Sequence, residues 1–364
     1  MKMIHCGDLH LDSELMTHLS VEQAKERNIE LLHTFQKMVE YGENEGVQAV
    51  LLAGDIFDKK NVATYVQHTV IDTIQAHKNM FFFYVSGNHD RDCFLEHLET
   101  VPSNLKIFGK EWKSFLCGNI AITGVKCEGI SGISLAEKLS LNPENINIVM
   151  LHGQEHVNGA NSQEDIVPVS LLKQKGIDYL ALGHIHSYKQ ERLDARGIYC
   201  YSGCLEGRGF DECGIKGFVR LDIEETTGVI SSEFVPFGKR RLWEICVDAT
   251  GSMTTNEMER RIEHSIQEKE CREADFLKIV LQGELDVESE KNLLFLQKKY
   301  EELFYYVKIV DETKFKVDYT DYMLDECLKG EFVRMVQEGD LSQEEKAEVI
   351  RCGIMALAGE EIDL

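Results

Sequence analysis

Residues 51–58 read Leu-Leu-Ala-Gly-Asp-Ile-Phe-Asp: an apolar run, one glycine, then two carboxylates three residues apart. An unbroken apolar run of this length suits a strand covered on both faces, so Asp55 and Asp58 arrive where the strand ends. The pattern recurs. IHC-Gly7-Asp8-Leu9-His10, YVS-Gly87-Asn88-His89-Asp90 and LAL-Gly183-His184-Ile185-His186 repeat it, and IVML-His152-Gly153 brings a histidine to the strand end itself. In α/β sheets ligands gather beyond the carboxyl ends of strands, and glycine lets backbone crowd around a compact centre. Five strand ends therefore aim their polar groups at one place.

Asp8, His10, Asp55, Asn88, His152, His184 and His186 make a set of carboxylate, amide and imidazole donors without thiolate, with His89 beside them. Such a set suits manganese, iron or zinc, and it offers too many donors for a single ion. Two metals sharing one carboxylate fit better, with Asp55 as the expected bridge. The D-x-H and H-x-H spacings put both members of each pair on one side of an extended segment.

Working outward, helical patterns separate the first strands. Ser20 and Gln23 form a capping box that opens a helix running to about Tyr41, and Val62 to Ala76 is a second amphipathic stretch. Alternating strand and helix indicates α/β architecture. From Gly197 to Phe237 the pattern shifts to strands joined by glycine-rich turns, which suits hairpins. A composition break at PFGKRR (236–241) precedes strand and helix patterns in turn, so 242–320 is expected to be a small second α/β domain after a first domain at 1–237. Two further amphipathic helices, Asp325 to Glu338 and Ser342 to Leu357, fall in a last segment, 321–364.

The chain has 364 residues, 43% hydrophobic and 28% charged, enough for a buried core. Its net charge of −24 argues against coating nucleic acid or anionic membrane over the whole surface, so a phosphate-bearing partner must be held locally. The N-terminus lacks the pattern of a secretory signal, and no window reaches a membrane-spanning length. Eleven cysteines without C-x-x-C spacing, several such as Cys6 and Cys246 inside strand-like runs, read as reduced and mostly buried thiols of a cytoplasmic protein. Twelve of thirteen histidines fall between His5 and His186, so the need for imidazole lies in the first half.

The motifs D-x-H, G-D-x-x-D, G-N-H-D, H-G and G-H-x-H, in this order, resemble those of calcineurin-like metallophosphoesterases, over residues 1 to about 237. The longer wording IHCGDLHLDS, LLAGDIFD, VSGNHDRD, YLALGHIH and YSGCLEGRGFDECGIKGF is similar to the SbcD-type DNA-repair exonucleases, particularly their YhaO-like branch. The resemblance implies a β-sandwich flanked by helices, a C-terminal capping domain, and a tail that docks on an SMC-like coiled-coil ATPase. It implies that Asp8, His10, Asp55 and His186 hold one metal, and that Asp55, Asn88, His152 and His184 hold the other. Manganese is the favoured metal, with iron and zinc as alternatives. A hydroxide bridging the two metals would then attack a phosphodiester, with His89 positioning the phosphate or protonating the leaving oxygen and Asp90 orienting His89. Arg208 and the Gly203 to Gly209 turn would lie near substrate. Where the family has Tyr-Pro-Gly followed by Ser or Asn, this chain has Tyr201-Ser202-Gly203-Cys204, so the loop is expected to meet DNA differently.

The leading reading is thus a metal-dependent DNA exonuclease or endonuclease in repair, dimeric and partnered by the ATPase. A small-nucleotide phosphodiesterase or phosphatase, which the negative charge does not oppose, is one alternative. An assembly subunit of an ATPase complex with secondary nuclease activity is another. Plainer roles suit other residues. His33, His68, His77 and His97 lie on helical patterns and read as structural, His156 as a loop residue, and His5 as packed in its strand. Asp12 and Asp58 suit a turn or helix cap at least as well as support of the ligands. Cys204, with no assigned base, reads as inert, and Lys239 to Arg241 as a solvated linker.

Overall fold

The computed structural model describes residues 1–15, 19–58, 62–90, 98, 100–155, 166–316, 322 and 325–358. His97 and His156 lie outside the described residues. The chain divides into two compact units, Met1–Lys239 and Arg240–Leu364.

The first unit begins β1 (Lys2–Cys6), α1 (Val21–Asn44), β2 (Ala49–Ala53), α2 (Thr64–Ala76), β3 (Phe81–Val85), β4 (Leu105–Ile107), β5 (Lys113–Cys117) and β6 (Ile120–Gly124). There follow α3 (Gly132–Lys138), β7 (Ile146–His152), β8 (Gln154–Glu155), β9 (Ile166–Val167), α4 (Val169–Leu172) and β10 (Tyr179–Gly183). β11 (Lys189–Arg192), β12 (Ile198–Tyr201), a 3-10 turn at Phe210–Glu212, β13 (Gly217–Glu224) and β14 (Val229–Pro236) complete it.

Two six-stranded sheets result, ordered β14-β13-β1-β2-β3-β4 and β11-β12-β10-β7-β6-β5. Side-chain alternation explains why their central strands are apolar throughout. Met3, Leu51 and Phe83 point between the sheets, where they meet Ile148, Met150, Tyr179 and Ala181. Ile4, Leu52 and Tyr84, one residue along, point the other way onto Leu31, Phe35 and Met38 of α1 and Val70 and Ile74 of α2. Val149, Leu151 and Leu180 likewise face Leu135 and Leu172 on the far side of the second sheet. The result is a sandwich flanked by helices. β1, β2 and β3 run parallel to one another, as do β7, β10 and β12, so each set delivers its carboxyl ends to one edge.

The capping box of α1 is formed, Ser20 accepting from the Gln23 backbone and Gln23 accepting from Ser20. Within α1 lies Arg27, whose side chain is only 1% exposed. It donates to Glu206 at 2.6 Å, to Glu30 at 3.0 Å and to the carbonyl of Gly207 at 2.9 Å. Glu206 also accepts from Thr34 at 2.8 Å and from the backbone N–H of Lys239 at 2.6 Å. The turn after β12 is therefore fastened to α1 by a buried ion pair.

The second unit contains β15 (Leu242–Asp248), α5 (Thr255–Glu268), β16 (Phe276–Asp286), α6 (Leu293–Glu301), β17 (Tyr306–Lys316), α7 (Leu328–Glu338) and α8 (Gln343–Ala358). Its three strands are parallel, in the order β15-β16-β17, and Ile245, Leu277 and Ile279 pack with Met258, Ile262, Leu296 and Tyr300 of the crossover helices. Val333 of α7 joins Ala347, Ile350 and Ile354 of α8 against Val287.

Two expectations need correction. Cys246 is exposed, because it sits on the open face of β15, and of the ten described cysteines only Cys6, Cys127, Cys200 and Cys204 are buried. The basic run at 239–241 is not simply solvated: Lys239 pairs with Glu30, while the Arg240 guanidinium stacks 3.3 Å from the Tyr305 ring and donates to the Ala274 carbonyl. No helix among the described residues is long and apolar enough to cross a membrane.

Removing the positive end of the buried network takes from the buried Glu206 carboxylate its Arg27 charge partner. Arg27→Met should lower unfolding free energy by about 3 to 5 kcal/mol in urea titrations. A loss below about 1 kcal/mol would show that the ion pair does not hold the turn.

Candidate metal centre

The loops after β1, β2 and β10 carry backbone strain at the residues the motifs single out. Asp8 (φ 52°), His10 (φ 43°), Asp55 (φ 49°) and His184 (φ 103°) all adopt left-handed conformations that side-chain-bearing residues seldom occupy. Each costs about 1–3 kcal/mol and persists only where the surroundings impose it. Here the surroundings are backbone bonds between neighbouring loops: Asp8 N–H donates to Gly54 O and His10 N–H to Asp55 O, both at 2.9 Å.

Glycine is required where these loops meet. A Cβ on Gly54 would stand 2.2 Å from His152 Nδ1, and one on Gly87 would stand 2.1 Å from Asp55 Oδ1. His152 thus reaches across from the second sheet, and its Nδ1 donates to the carbonyl of Ala53 at 2.9 Å. That bond leaves Nε2 facing the centre.

All seven expected donors come together. Ligand atoms of Asp8, His10 and His186 lie within 4.8 Å of one another, and so do those of Asp55, His152 and His184. Asp55 Oδ2 stands between the groups, 3.2 Å from His152 Nε2 and 3.8 Å from His10 Nε2. Asn88 Oδ1 is 3.1 Å from His152 Nε2 and 3.2 Å from His184 Nδ1. His10 and His186 turn their Nε2 atoms toward each other at 3.2 Å. The H-x-H pair divides between the two groups, while D-x-H stays within one.

The electrostatics suit cations. Burial works against ionisation of Asp55, but His152, His10 and the His89 backbone N–H outweigh it and hold its pKa well below the usual carboxylate range. Burial lowers the His152 imidazole, yet Asp55 and Asp8 prevail and bring it up to about 9. Burial raises the Asp8 carboxyl, with the nearby imidazoles opposing. Concentrated carboxylate charge draws a proton onto imidazole, the same demand a divalent cation satisfies. Donor types, spacing and charge all fit a pair of such ions.

His89 and Asp90 do not form the expected pair. The Asp90 carboxylate is buried and accepts from the backbone N–H groups of Phe57 (2.9 Å), Ile56 (3.1 Å) and Gly87 (3.2 Å). Adjacent residues of this turn point in different directions, so Asp90 fixes the loops that carry Asp55 and Asn88 rather than the His89 ring. Burial and the nearby Asp55 push its pKa up to about 6, against those three donors. The His89 ring is 44% exposed; its Nδ1 lies 3.5 Å from the carbonyl oxygen of Asp58, and its edge meets His10 with centroids 4.9 Å apart.

Asp58, read as a turn or cap residue as readily as a support, holds His10: its Oδ1 is 2.8 Å from His10 Nδ1. Glu212, which no motif indicated, does the same for His186 at 2.6 Å. The Arg208 guanidinium spans these two carboxylates. Asp12 accepts from the Ala63 N–H at the start of α2, a capping role. His5 is buried against the Tyr179 hydroxyl at 2.9 Å, and burial lowers its pKa to about 3. His33 and His68 are exposed on helices, and His77 hydrogen-bonds the Thr73 carbonyl. Burial, then Glu212, pushes the Cys204 thiol up, which leaves it unreactive.

The sequence profile described as calcineurin-like phosphoesterase matches residues 1–188. The chain is 28% identical to the uncharacterized metallophosphoesterase YhaO of Bacillus subtilis, over 93% of this chain and 88% of that protein. It is 24% identical to the DNA double-strand break repair protein Mre11 of Saccharolobus solfataricus, over 99% of this chain and 96% of the relative. Among solved structures, a dimetal phosphatase from Danio rerio aligns with 62% of this chain and 93% of its own, at 13% identity and a TM-score of 0.41.

The three backbone donors make Asp90 testable without touching a donor to the centre. Asp90→Asn keeps the shape but turns an amide N–H₂ toward N–H groups, and should destabilise the protein by about 1–3 kcal/mol in chemical denaturation. Wild-type stability in that variant would contradict the role given to Asp90.

Proposed function

Because the chain belongs to the calcineurin-like phosphoesterase family, we propose that it is a two-metal phosphodiesterase whose substrate is DNA, acting as an exonuclease or endonuclease in repair. The observation that carries the hydrolytic reading is the convergence of seven donors into two groups with Asp55 between them. Asp8, His10, Asp55 and His186 would hold one cation; Asp55, Asn88, His152 and His184 would hold the other. A bound pair of divalent ions supplies an activated water and positive charge for the phosphoryl oxygens. Imidazole, carboxylate and amide without thiolate suit manganese, iron or zinc, and the family likeness makes manganese the proposed metal.

The chain's own residues do the rest. Asp55 keeps both groups in register because its backbone is locked to His10 and its Oδ1 accepts from the His89 N–H at 2.8 Å. That last bond also sets the position of His89, whose ring is 44% exposed beside the centre. It would steady the phosphate and give a proton to the leaving oxygen.

DNA as substrate is supported by likeness to a relative named for double-strand break repair, which spans nearly the whole chain. By the same likeness residues 242–320 would cap the nuclease domain, residues 321–364 would dock an SMC-like coiled-coil ATPase, and the protein would be a homodimer. The exposed Leu328 and Met335 of α7 suit a docking surface.

A small-nucleotide phosphodiester is the second reading, favoured by charge. Among the described residues, Arg208 is engaged with Asp58 and Glu212, and Lys216 with the His186 carbonyl. DNA binding draws on clustered cations available to phosphates.

Purified protein with manganese should shorten end-labelled DNA and hydrolyse bis(p-nitrophenyl) phosphate, and chelation should stop both. His89→Ala should retain its metal content while the rate falls roughly 10²- to 10⁴-fold. Hydrolysis of the small ester alone would move the assignment to the second reading. Inertness toward both substrates with every divalent metal would overturn the hydrolytic proposal.

A further inference from the structure

We propose that Arg208 is a positioning residue that sets the imidazoles of His10 and His186 through Asp58 and Glu212, so that it governs cation affinity at the Asp8–His10–His186 group and not at the other. The inference rests on the reading of this site as a metal centre, and it replaces the substrate contact expected of Arg208.

The geometry is a closed brace. Asp58 Oδ1, 2.8 Å from His10 Nδ1, also accepts from Arg208 Nη1 at 3.0 Å. Glu212 Oε1, 2.6 Å from His186 Nδ1, also accepts from Arg208 Nη2 at 2.7 Å and Nε at 3.1 Å. One rigid guanidinium thus joins the two oxygens that orient the two rings. The Arg208 backbone N–H donates to Glu212 Oε2 at 2.7 Å, and Nη1 lies 3.4 Å from Ser13 Oγ. Only 19% of the side chain is exposed. The brace has a fixed footing, since Glu206 and Gly207, immediately before Arg208, are held by buried Arg27.

Such an arrangement has a defined effect. A carboxylate on Nδ1–H fixes the tautomer, aims the Nε2 lone pair and strengthens it as a donor; losing such a partner costs 10- to 100-fold in metal affinity. Two carboxylates this close repel each other, and the planar fork of Arg208 both neutralises them and fixes their spacing. The second group is oriented differently. His152 is held by a backbone carbonyl, Ala53 O, which no side-chain substitution at 208 or 212 removes. The two cations should therefore differ in their dependence on the brace.

The test is calorimetric titration of the full chain with Mn²⁺ alone, for the wild type, Arg208→Met and the isosteric Glu212→Gln, with KM for bis(p-nitrophenyl) phosphate measured at saturating manganese. The wild type should bind two equivalents. Each variant should keep one site at wild-type affinity and weaken the other roughly 10- to 100-fold, with KM unchanged once metal saturates. Wild-type affinity at both sites would overturn the inference, and a raised KM alongside it would return Arg208 to the substrate. Equal weakening of both sites would also overturn it, since the effect would then be general. Thermal unfolding identifies a variant that fails to fold; if Arg208→Met does, Glu212→Gln decides. A wild type that binds no manganese would instead remove the metal centre itself.

Discussion

The hydrogen bond from His152 Nδ1 to the carbonyl of Ala53 joins the carboxyl ends of two sheets, and the donor set exists because that approach is so close. Gly54 makes it sterically available, having no Cβ to occupy the space of the imidazole. Once the sheets meet there, the loops after β1, β2 and β10 have little room to choose a conformation. Asp8, His10, Asp55 and His184 accept left-handed backbone as a result. Strain of this kind, at four residues that all turn toward one point, is supported by the cooperative packing of the sandwich rather than by local preference.

Orientation within the centre is achieved in two ways. On one side, carboxylates from Asp58 and Glu212 hold the rings of His10 and His186. On the other, a main-chain group does the work: Ala53 O holds His152. Main-chain support is insensitive to side-chain identity, whereas carboxylate support depends on distant residues staying in place. The buried pairing of Arg27 with Glu206 gives the Gly203–Glu212 turn that stability from behind.

Much of this was legible in the sequence. The strands that carry donors are apolar because both faces are covered, and their abrupt change to Gly-Asp, Gly-Asn-His or Gly-His marks where they end. Ser20 and Gln23 likewise announced α1. The hairpin β5–β6 went unread because Lys113–Cys117 is a largely exposed edge strand with a weak pattern, although the Gly118-Asn119 pair between β5 and β6 is a recognisable turn signal. Glu212 went unread for a different reason. Its partner His186 lies 26 residues away, and spacing carries no information about a bond closed only by the fold. Asp90 misled through adjacency: being next to His89 in sequence suggested contact, whereas the turn sends its carboxylate to backbone N–H groups 33 and 34 residues back.

Two cations sharing Asp55 are the core of the proposed chemistry. Anomalous scattering at the manganese edge from crystals grown with Mn²⁺ addresses this directly. Two peaks, one among Asp8, His10 and His186 and one among Asn88, His152 and His184, with Asp55 touching both, is the predicted result. A single peak, or none, or two that leave Asp55 uncoordinated, would contradict it.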